Sequence, residues 1–399
     1  MRNTERLAID GGFPVRKMLL PPGQQEVDEE DIRTVVATLR SAWLTTGPCV
    51  EAFEDAVTQF VGARHGVAVS SGTAALHAVM HALEVGPGDE VIVPPITFVA
   101  TANAVLFEGG TPVFADVDAG TLLLDPAQVE AKISPRTKAV VAVDYAGQPC
   151  EYDALRRICD RQGIALVSDA CHALGAQYKG KRVGTLADLT VFSFHPVKHI
   201  TTGEGGMIVT SRADFATRMR RFRNHGITTD HHQRAARGTW QYDMAALGYN
   251  YRLTDFQCAL GKSQLQKLPE WLIRRQQIAA LYDESCARLL AIRPLRRLGN
   301  RVHAYHLYVV QVEESRVQTV RATIFNALRA EGIGVNVHYM PVHLHPYYQQ
   351  RFGYRRGEYP VAEEAYTRLL SLPISHGMRP QDVEDVVRAV HKVVKHYAA

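Results

Sequence analysis

From about residue 50 to residue 210, short apolar runs alternate with segments of helical periodicity, and that alternation restricts the fold more than any other feature of the chain. The runs lie at 66–69, 90–93, 112–115, 139–143, 164–168 and 207–209 and are apolar at nearly every position. A strand with one wet face alternates polar and apolar residues, whereas continuous runs fit strands covered on both faces. Strand and helix in alternation read as crossover units, so the expected architecture is α/β, with a mainly parallel sheet between covering helices. Ligands of such sheets bind beyond the carboxyl ends of the strands. The residues that follow each run are therefore the first candidates for chemistry.

Two of those places, and one after a further apolar segment at 189–194, carry suitable residues. Asp169 ends the run 164–168 and is followed by Ala170, Cys171 and His172. An ionised carboxylate there can keep a pyridinium nitrogen protonated, and it can equally be the N-cap of a following helix. Lys198 lies in the stretch 193–206, SFHPVKHITTGEGG, after an apolar segment from Leu189 to Phe194, flanked by His195 and His199 and followed by a glycine-rich turn. A lysine that shifts between free amine and covalent adduct needs a lowered pKa, which burial beside another cationic group provides. On spacing alone Lys198 also reads as a solvated loop lysine. The run 66–69 leads into Ser70-Ser71-Gly72-Thr73 and a helical pattern through Leu83. Small residues at a strand-to-helix turn let backbone N–H groups and hydroxyls approach an anion at the positive helix end. Asp169 and Lys198 at consecutive strand ends, in that order, favour a cofactor pair.

These elements belong to a longer series: WLTTGP at 43–48, SSGTAAL at 70–76, PPITFVATANAV at 94–105, DACH at 169–172, SFHPVKHITTGEGG at 193–206 and GYNYRLTDFQCALG at 248–261. On these motifs, from about Leu20 to the C-terminus, the chain resembles the fold-type I pyridoxal phosphate enzymes and, among them, the nucleotide-sugar aminotransferases of the DegT/StrS family. The resemblance implies a large domain with a mainly parallel seven-stranded sheet, a smaller α/β C-terminal domain, and pyridoxal 5'-phosphate as cofactor. It implies Lys198 as the lysine that holds the cofactor and Asp169 as the partner of the pyridine nitrogen. Ser193, Thr73 and the Gly72–Thr73 backbone would hold the phosphate, Phe98 would cover the ring, and His172 would lie near the ring hydroxyl. Asn250, with Arg252 adjacent, would reach the neighbouring subunit's cofactor phosphate, which implies a homodimer with shared sites. His338 and Tyr339, with Tyr145 and Gln148 behind them in rank, would contact the sugar or diphosphate.

The implied activity is a ping-pong transamination. The amino donor, by analogy, is L-glutamate, and the acceptor is a nucleotide-linked 4-keto-6-deoxy sugar. In the pseudaminic acid branch of the family that sugar is UDP-2-acetamido-2,6-dideoxy-β-L-arabino-hex-4-ulose. Relatives that dehydrate sugars carry His where the lysine belongs, and Lys198 separates this chain from them. Amination of another keto sugar at C3 or C4, and a non-enzymatic regulator that keeps the fold, stand as alternatives.

The remaining sequence bears on organisation and surroundings. Periodicity turns helical over 253–272, followed by a strand-like 305–312, a helical 317–332 and an amphipathic helix at 381–397. The chain is thus expected to divide into 1–255, the N-terminal segment and large cofactor-binding domain, and 256–399, the linking helix and small domain. Another helix is expected at 28–41, opened by acidic residues that suit its N-terminus. A net charge of +4 over 399 residues gives no case for nucleic acid, and no helix-turn-helix-like appendage is visible. No apolar run approaches the ~20 residues of a membrane span, and the start MRNTERLAIDGG lacks an apolar signal core, so a cytoplasmic location without a membrane partner is expected. The six cysteines form no CxxC pair and read as free thiols in a reducing compartment. His338, His343 and His345 have no Cys or carboxylate close by in sequence, so no metal site is expected.

Overall fold

The computed structural model describes residues 6–229, 234 and 236–398. In chain order the first nine strands are β1 (His65–Val69), β2 (Glu90–Val93), β3 (Thr111–Phe114), β4 (Thr137–Val143), β5 (Ala165–Asp169), β6 (Gln177–Tyr178), β7 (Lys181–Arg182), β8 (Leu189–Ser193) and β9 (Gly206–Thr210). Seven of them make one sheet in the order β1-β9-β8-β5-β4-β2-β3. β8, β5, β4, β2 and β3 pair in parallel, and β9 runs antiparallel to both of its neighbours, β1 and β8. The expected mainly parallel, seven-stranded α/β sheet is what the chain forms. Its continuous apolar runs have their predicted cause: Val91, Ile92, Val140, Val141, Leu166, Val167, Val191 and Ile208 are all fully buried. Each such side chain contributes about 1.5–3 kcal/mol relative to exposure.

Helices Gly72–Ala82, Ala100–Phe107, Pro126–Lys132 and Tyr152–Gln162 follow β1, β2, β3 and β4 in turn. After β5 the pattern breaks. Residues 170–176 form turns that lead into the β6–β7 hairpin, so Asp169 caps no helix, and that reading of it falls. β8 likewise opens into a loop, residues 194–205, which carries Lys198 before β9 returns. Both departures from helix-after-strand lie side by side, because β5 and β8 are paired neighbours.

A second core is built on an antiparallel sheet of β10 (Ile292–Pro294), β12 (Tyr308–Val312) and β13 (Leu369–Leu372), and β11 (Arg301–Val302) pairs instead with β6. Helices Arg321–Ala330 and Pro380–Tyr397 cover this small sheet, and Leu7 and Leu20 from the N-terminal segment join its core. Glu331 fastens that segment: it accepts from the Ala8 and Val15 N–H groups and pairs with Lys392. The helix expected at 253–272 runs further, as Asp255–Cys286, through Pro269. It survives proline because it is clamped at both ends. Leu265, Leu268 and Leu272 pack under the large sheet while Ile278 and Tyr282 belong to the second core. The strand expected from 305 begins only at Tyr308, since Tyr305 adopts a left-handed φ of 49° in the turn before it. The helix expected at 28–41 is Glu29–Leu39, capped by Asp28. Among the described residues no helix is long and apolar enough to cross a membrane.

Candidate active site

The carboxyl ends of β1, β5 and β8, together with the segment after β2, converge on one cleft. Asp169 ends β5 and is almost fully buried. Its Oδ2 accepts from Thr101 Oγ1 at 2.7 Å, and its Oδ1 accepts from the Cys171 N–H at 3.2 Å. Thr101 in turn lies 2.7 Å from Thr97 Oγ1. Both carboxylate oxygens thus accept a hydrogen bond that fixes their direction.

Lys198 sits in the loop after β8, which is fixed at several points. Lys198 N–H donates to His195 O, Thr202 N–H to Phe194 O, and Thr201 N–H to Gln264 Oε1 of the long helix. The Lys198 amine lies 3.4 Å from His306 Nε2. Burial pushes the ammonium below its ordinary value, against Cys171 and Asp169, which pull it upward. A second positive charge is not what lowers it: burial, first of all, also holds His199 and His306 well below the ordinary imidazole value. His199 is engaged elsewhere, its Nε2 donating to Ala304 O at 3.0 Å.

The turn from β1 into helix Gly72–Ala82 presents donors suited to an anion. Ser71 is the N-cap, and its hydroxyl accepts from the Ala74 N–H. The first helical N–H groups, at Gly72 and Thr73, stay at the positive end of the helix. Space is tight at Gly72. A Cβ there would come within 3.0 Å of Ser193 Cβ, 3.2 Å of its Oγ and 3.4 Å of Cys171 Sγ. The ends of β1 and β8 therefore face each other across Gly72 and Ser193.

His172 is buried, with Nε2 3.1 Å from the Tyr339 hydroxyl, and its Nδ1 has no hydrogen-bond partner. Phe98 is 56% exposed, with its ring 6.1 Å from that of Tyr339. His338 Nδ1 lies 2.8 Å from Ser371 Oγ, and burial lowers its imidazole to about 4. Two of the expected substrate contacts lie behind the cleft. Tyr145 is buried and donates its hydroxyl to His338 O, and Gln148 is buried with its amide tied to Arg296 O and the Leu298 N–H. Asn250 is exposed on a bridge to Asn224, whose side chain accepts from Arg252. His343 pairs with Glu363, away from Lys198, and no group of three His, Cys, Asp or Glu side chains among the described residues could hold a metal ion.

Thr97, Thr101 and His306 escaped sequence reading. Thr97 lies in the bend before helix Ala100–Phe107, so helical spacing gave no signal for the pair. His306 had none either.

Pyridoxal phosphate demands an amine, a carboxylate for its ring nitrogen, an anion seat and a flat apolar cover. Lys198, Asp169, the glycine-floored turn at Gly72–Thr73 with Ser193, and the half-exposed Phe98 match that list. The unpaired His172 Nδ1 is a polar atom that a ring hydroxyl would satisfy. The residues present fit the group.

Comparison with known proteins agrees with this reading. Residues 25–391 match the model of the DegT/DnrJ/EryC1/StrS aminotransferase family. The chain is 42% identical over 383 residues to the spore coat polysaccharide biosynthesis protein SpsC of Bacillus subtilis, covering 95% of this chain and 98% of that one. Helicobacter pylori PseC, an aminotransferase involved in the biosynthesis of pseudoaminic acid, superposes with a TM-score of 0.89 at 33% identity over 96% of this chain and 100% of its own. The aminotransferase TlmJ of Streptoalloteichus hindustanus gives 0.87 at 33% identity over 95% and 99%. With a family match over nearly its whole length and the site geometry to go with it, the chain belongs to the DegT/DnrJ/EryC1/StrS family of pyridoxal phosphate-dependent sugar aminotransferases.

Proposed function

We propose that the protein aminates the keto carbon of a nucleotide-linked 4-keto-6-deoxy sugar, with L-glutamate as donor. The observation that carries this reading is the pairing of β5 with β8, which sets Asp169 and the Lys198 loop on adjacent strand ends beside the Gly72–Ser193 seat. When bound, pyridoxal phosphate supplies an electron sink for the carbanion formed at the donor carbon. Asp169, supported by Thr101 and the Cys171 N–H, keeps a proton on the ring nitrogen. Lys198 Nζ, which would hold the cofactor, would also be the group that takes the proton from the donor Cα. Its lowered pKa leaves the amine able to act as a base. The N–H groups of Gly72 and Thr73, with the Thr73 and Ser193 hydroxyls, would seat the phosphate, and Phe98 would cover one face of the ring. Tyr339 and His338 line the substrate side, and Tyr145 holds the His338 carbonyl in place from behind.

The finer reading follows the pseudaminic acid branch: the acceptor is UDP-2-acetamido-2,6-dideoxy-β-L-arabino-hex-4-ulose and the product its 4-amino counterpart. Similarity to PseC supports it. A homodimer with shared sites accompanies this function. Trp240, Met244 and Leu247 are 87%, 64% and 71% exposed just ahead of Asn250, a run of apolar surface that a second copy would cover. Asn250 then reaches the neighbour's phosphate seat. Residues 1–255 form the N-terminal segment and large cofactor-binding domain and 256–399 the linking helix and small C-terminal domain, in a cytoplasmic enzyme whose six cysteines are free thiols. A panel of UDP-, GDP- and dTDP-linked 4-keto and 3-keto sugars, assayed with glutamate and resolved by product analysis, tests the assignment. Turnover of a 3-keto sugar in preference to every 4-keto sugar would overturn it.

A further inference from the structure

We propose that His306 is a positioning residue for Lys198: its imidazole holds the lysine amine through Nε2 whenever the amine is not bonded to the cofactor. This rests on the reading of Lys198 as the cofactor-bearing lysine. Transamination frees that amine in every cycle. A loose four-carbon side chain would have to be collected again before the next cofactor bond could form.

The placement of His306 is over-determined. It stands in the turn before β12, where Tyr305 adopts a φ of 49° although it is not glycine. Such a conformation persists only where the surroundings enforce it. Here Ala304 N–H donates to Gly147 O at 2.9 Å and Leu307 N–H to Ala146 O at 3.2 Å. Tyr305 N–H donates to His303 Nδ1 at 2.8 Å, and the carbonyls of Ala304 and Tyr305 accept from His199 and Arg275. Opposite the turn, a Cβ on Gly147 would come within 2.8 Å of Tyr305 N and 3.2 Å of His306 N. Every neighbour of His306 is thus tied, and the ring is delivered to one place, 4.4 Å from the His172 ring and 3.4 Å from Lys198 Nζ.

The same surroundings keep the imidazole uncharged. Arg275 is 2% exposed, donates to the Tyr305 and Ile374 carbonyls, and among the described residues pairs with no carboxylate. A buried cation without a counter-charge disfavours a second one nearby. The groups that face His306 are Lys198, His172, His199 and Arg275, none of them an anion. Its Nδ1 is buried without a partner, so no competing bond draws the ring away from the lysine.

The test uses protein stripped of cofactor. Pyridoxal phosphate is added, covalent capture by the amine with loss of water is followed by absorbance, and borohydride reduction with peptide mapping locates the adduct. Capture at Lys198 in the unaltered protein upholds the parent reading, and an adduct elsewhere overturns that reading and this inference together. Given capture at Lys198, His306→Phe should slow it roughly tenfold, the effect of losing one hydrogen bond. His306→Gln, whose amide reaches the position of Nε2, should restore most of the rate. In turnover, His306→Phe should lower kcat while KM for the keto sugar stays within a factor of about two. Capture as fast in His306→Phe as in the unaltered protein, or His306→Gln as slow as His306→Phe, overturns the proposal. Should His306→Phe not fold, nitrogen NMR of the unaltered cofactor-free protein decides: a neutral His306 ring supports the proposal and an imidazolium at neutral pH sinks it.

Discussion

Replacing Thr101 by valine should separate what the cofactor site requires from what the fold requires. Thr101 and Thr97 are 1% and 2% exposed, and Thr101 Oγ1 lies 2.7 Å from both Asp169 Oδ2 and Thr97 Oγ1. An ionised carboxylate only accepts, so the Thr101 proton goes to Asp169 and Thr97 donates to Thr101. Valine keeps the shape and removes both bonds. A hydrogen bond to a charged group contributes about 1.5–3 kcal/mol, so Asp169 loses that much of its anchoring while keeping its bond from the Cys171 N–H. At about 1.4 kcal/mol per factor of ten, the hold on the ring nitrogen weakens and kcat should fall roughly ten- to a hundredfold. The Thr97 hydroxyl is left buried and unpaired, which should lower stability by a further ~1–3 kcal/mol. Adding Thr97→Val removes that orphan. The double variant should therefore regain most of the stability and none of the turnover. Saturating kcat measurements beside urea unfolding of all three variants give the comparison. Unchanged kcat in Thr101→Val, or a double variant that regains turnover along with stability, would show that the threonine pair serves only packing.

Three further outcomes are expected. Lys198→Ala should lose the yellow colour of the covalently held cofactor and all turnover yet still bind pyridoxal phosphate, and near-normal activity in that variant would remove Lys198 from the mechanism. Mixing inactive Lys198→Ala with inactive Asn250→Ala should restore part of the activity through heterodimers that hold one intact site. Failed complementation after verified subunit exchange would return Asn250 to its own subunit. Asp144, at the end of β4, accepts from the Cys150 N–H, Tyr152 and Ser168 in a fully buried setting, and burial pushes its carboxyl from 3.8 up to about 7. A folded-state pKa raised in this way stabilises the fold below pH 3.8, and that contribution is lost as pH rises through about 7. The stability of the unaltered protein relative to Asp144→Asn should accordingly fall across that window, and a difference that stays flat would contradict the burial argument.

The sheet was legible because strands covered on both faces leave an unmistakable trace. Val91, Ile92, Val140, Val141, Leu166 and Val167 can stand in unbroken runs only where helices cover both sides. Strand ends were legible for the same reason, since the first polar residue after such a run marks where the chain leaves the core. Asp169 could be found this way, although its role could not be separated from an N-cap until the structure placed turns rather than a helix after it. Tyr145 illustrates the converse. The resemblance made it a substrate contact, but nothing local shows that its hydroxyl is given to the carbonyl of His338, a contact across 193 residues.

The residues that escaped reading share one physical property: they act through contacts made only when distant segments pack. Thr101 meets Asp169 across 68 residues because β2 lies two places from β5 in the sheet, an ordering that no local periodicity reports. His306 meets Lys198 across 108 residues, and its direction is set by a turn. That turn is held by backbone groups of Ala146 and Gly147 and by a left-handed Tyr305, none of which leaves a hydrophobic or charge pattern. Groups that perform chemistry stand at strand ends and can be read from residue type and position. The groups that aim them belong to a layer specified by main-chain hydrogen bonds between loops. Substitutions in that layer should therefore change rates through the placement of Lys198 and Asp169 while the strand-end residues stay intact. The His306 and Thr101 experiments measure this effect from two independent sides of the site.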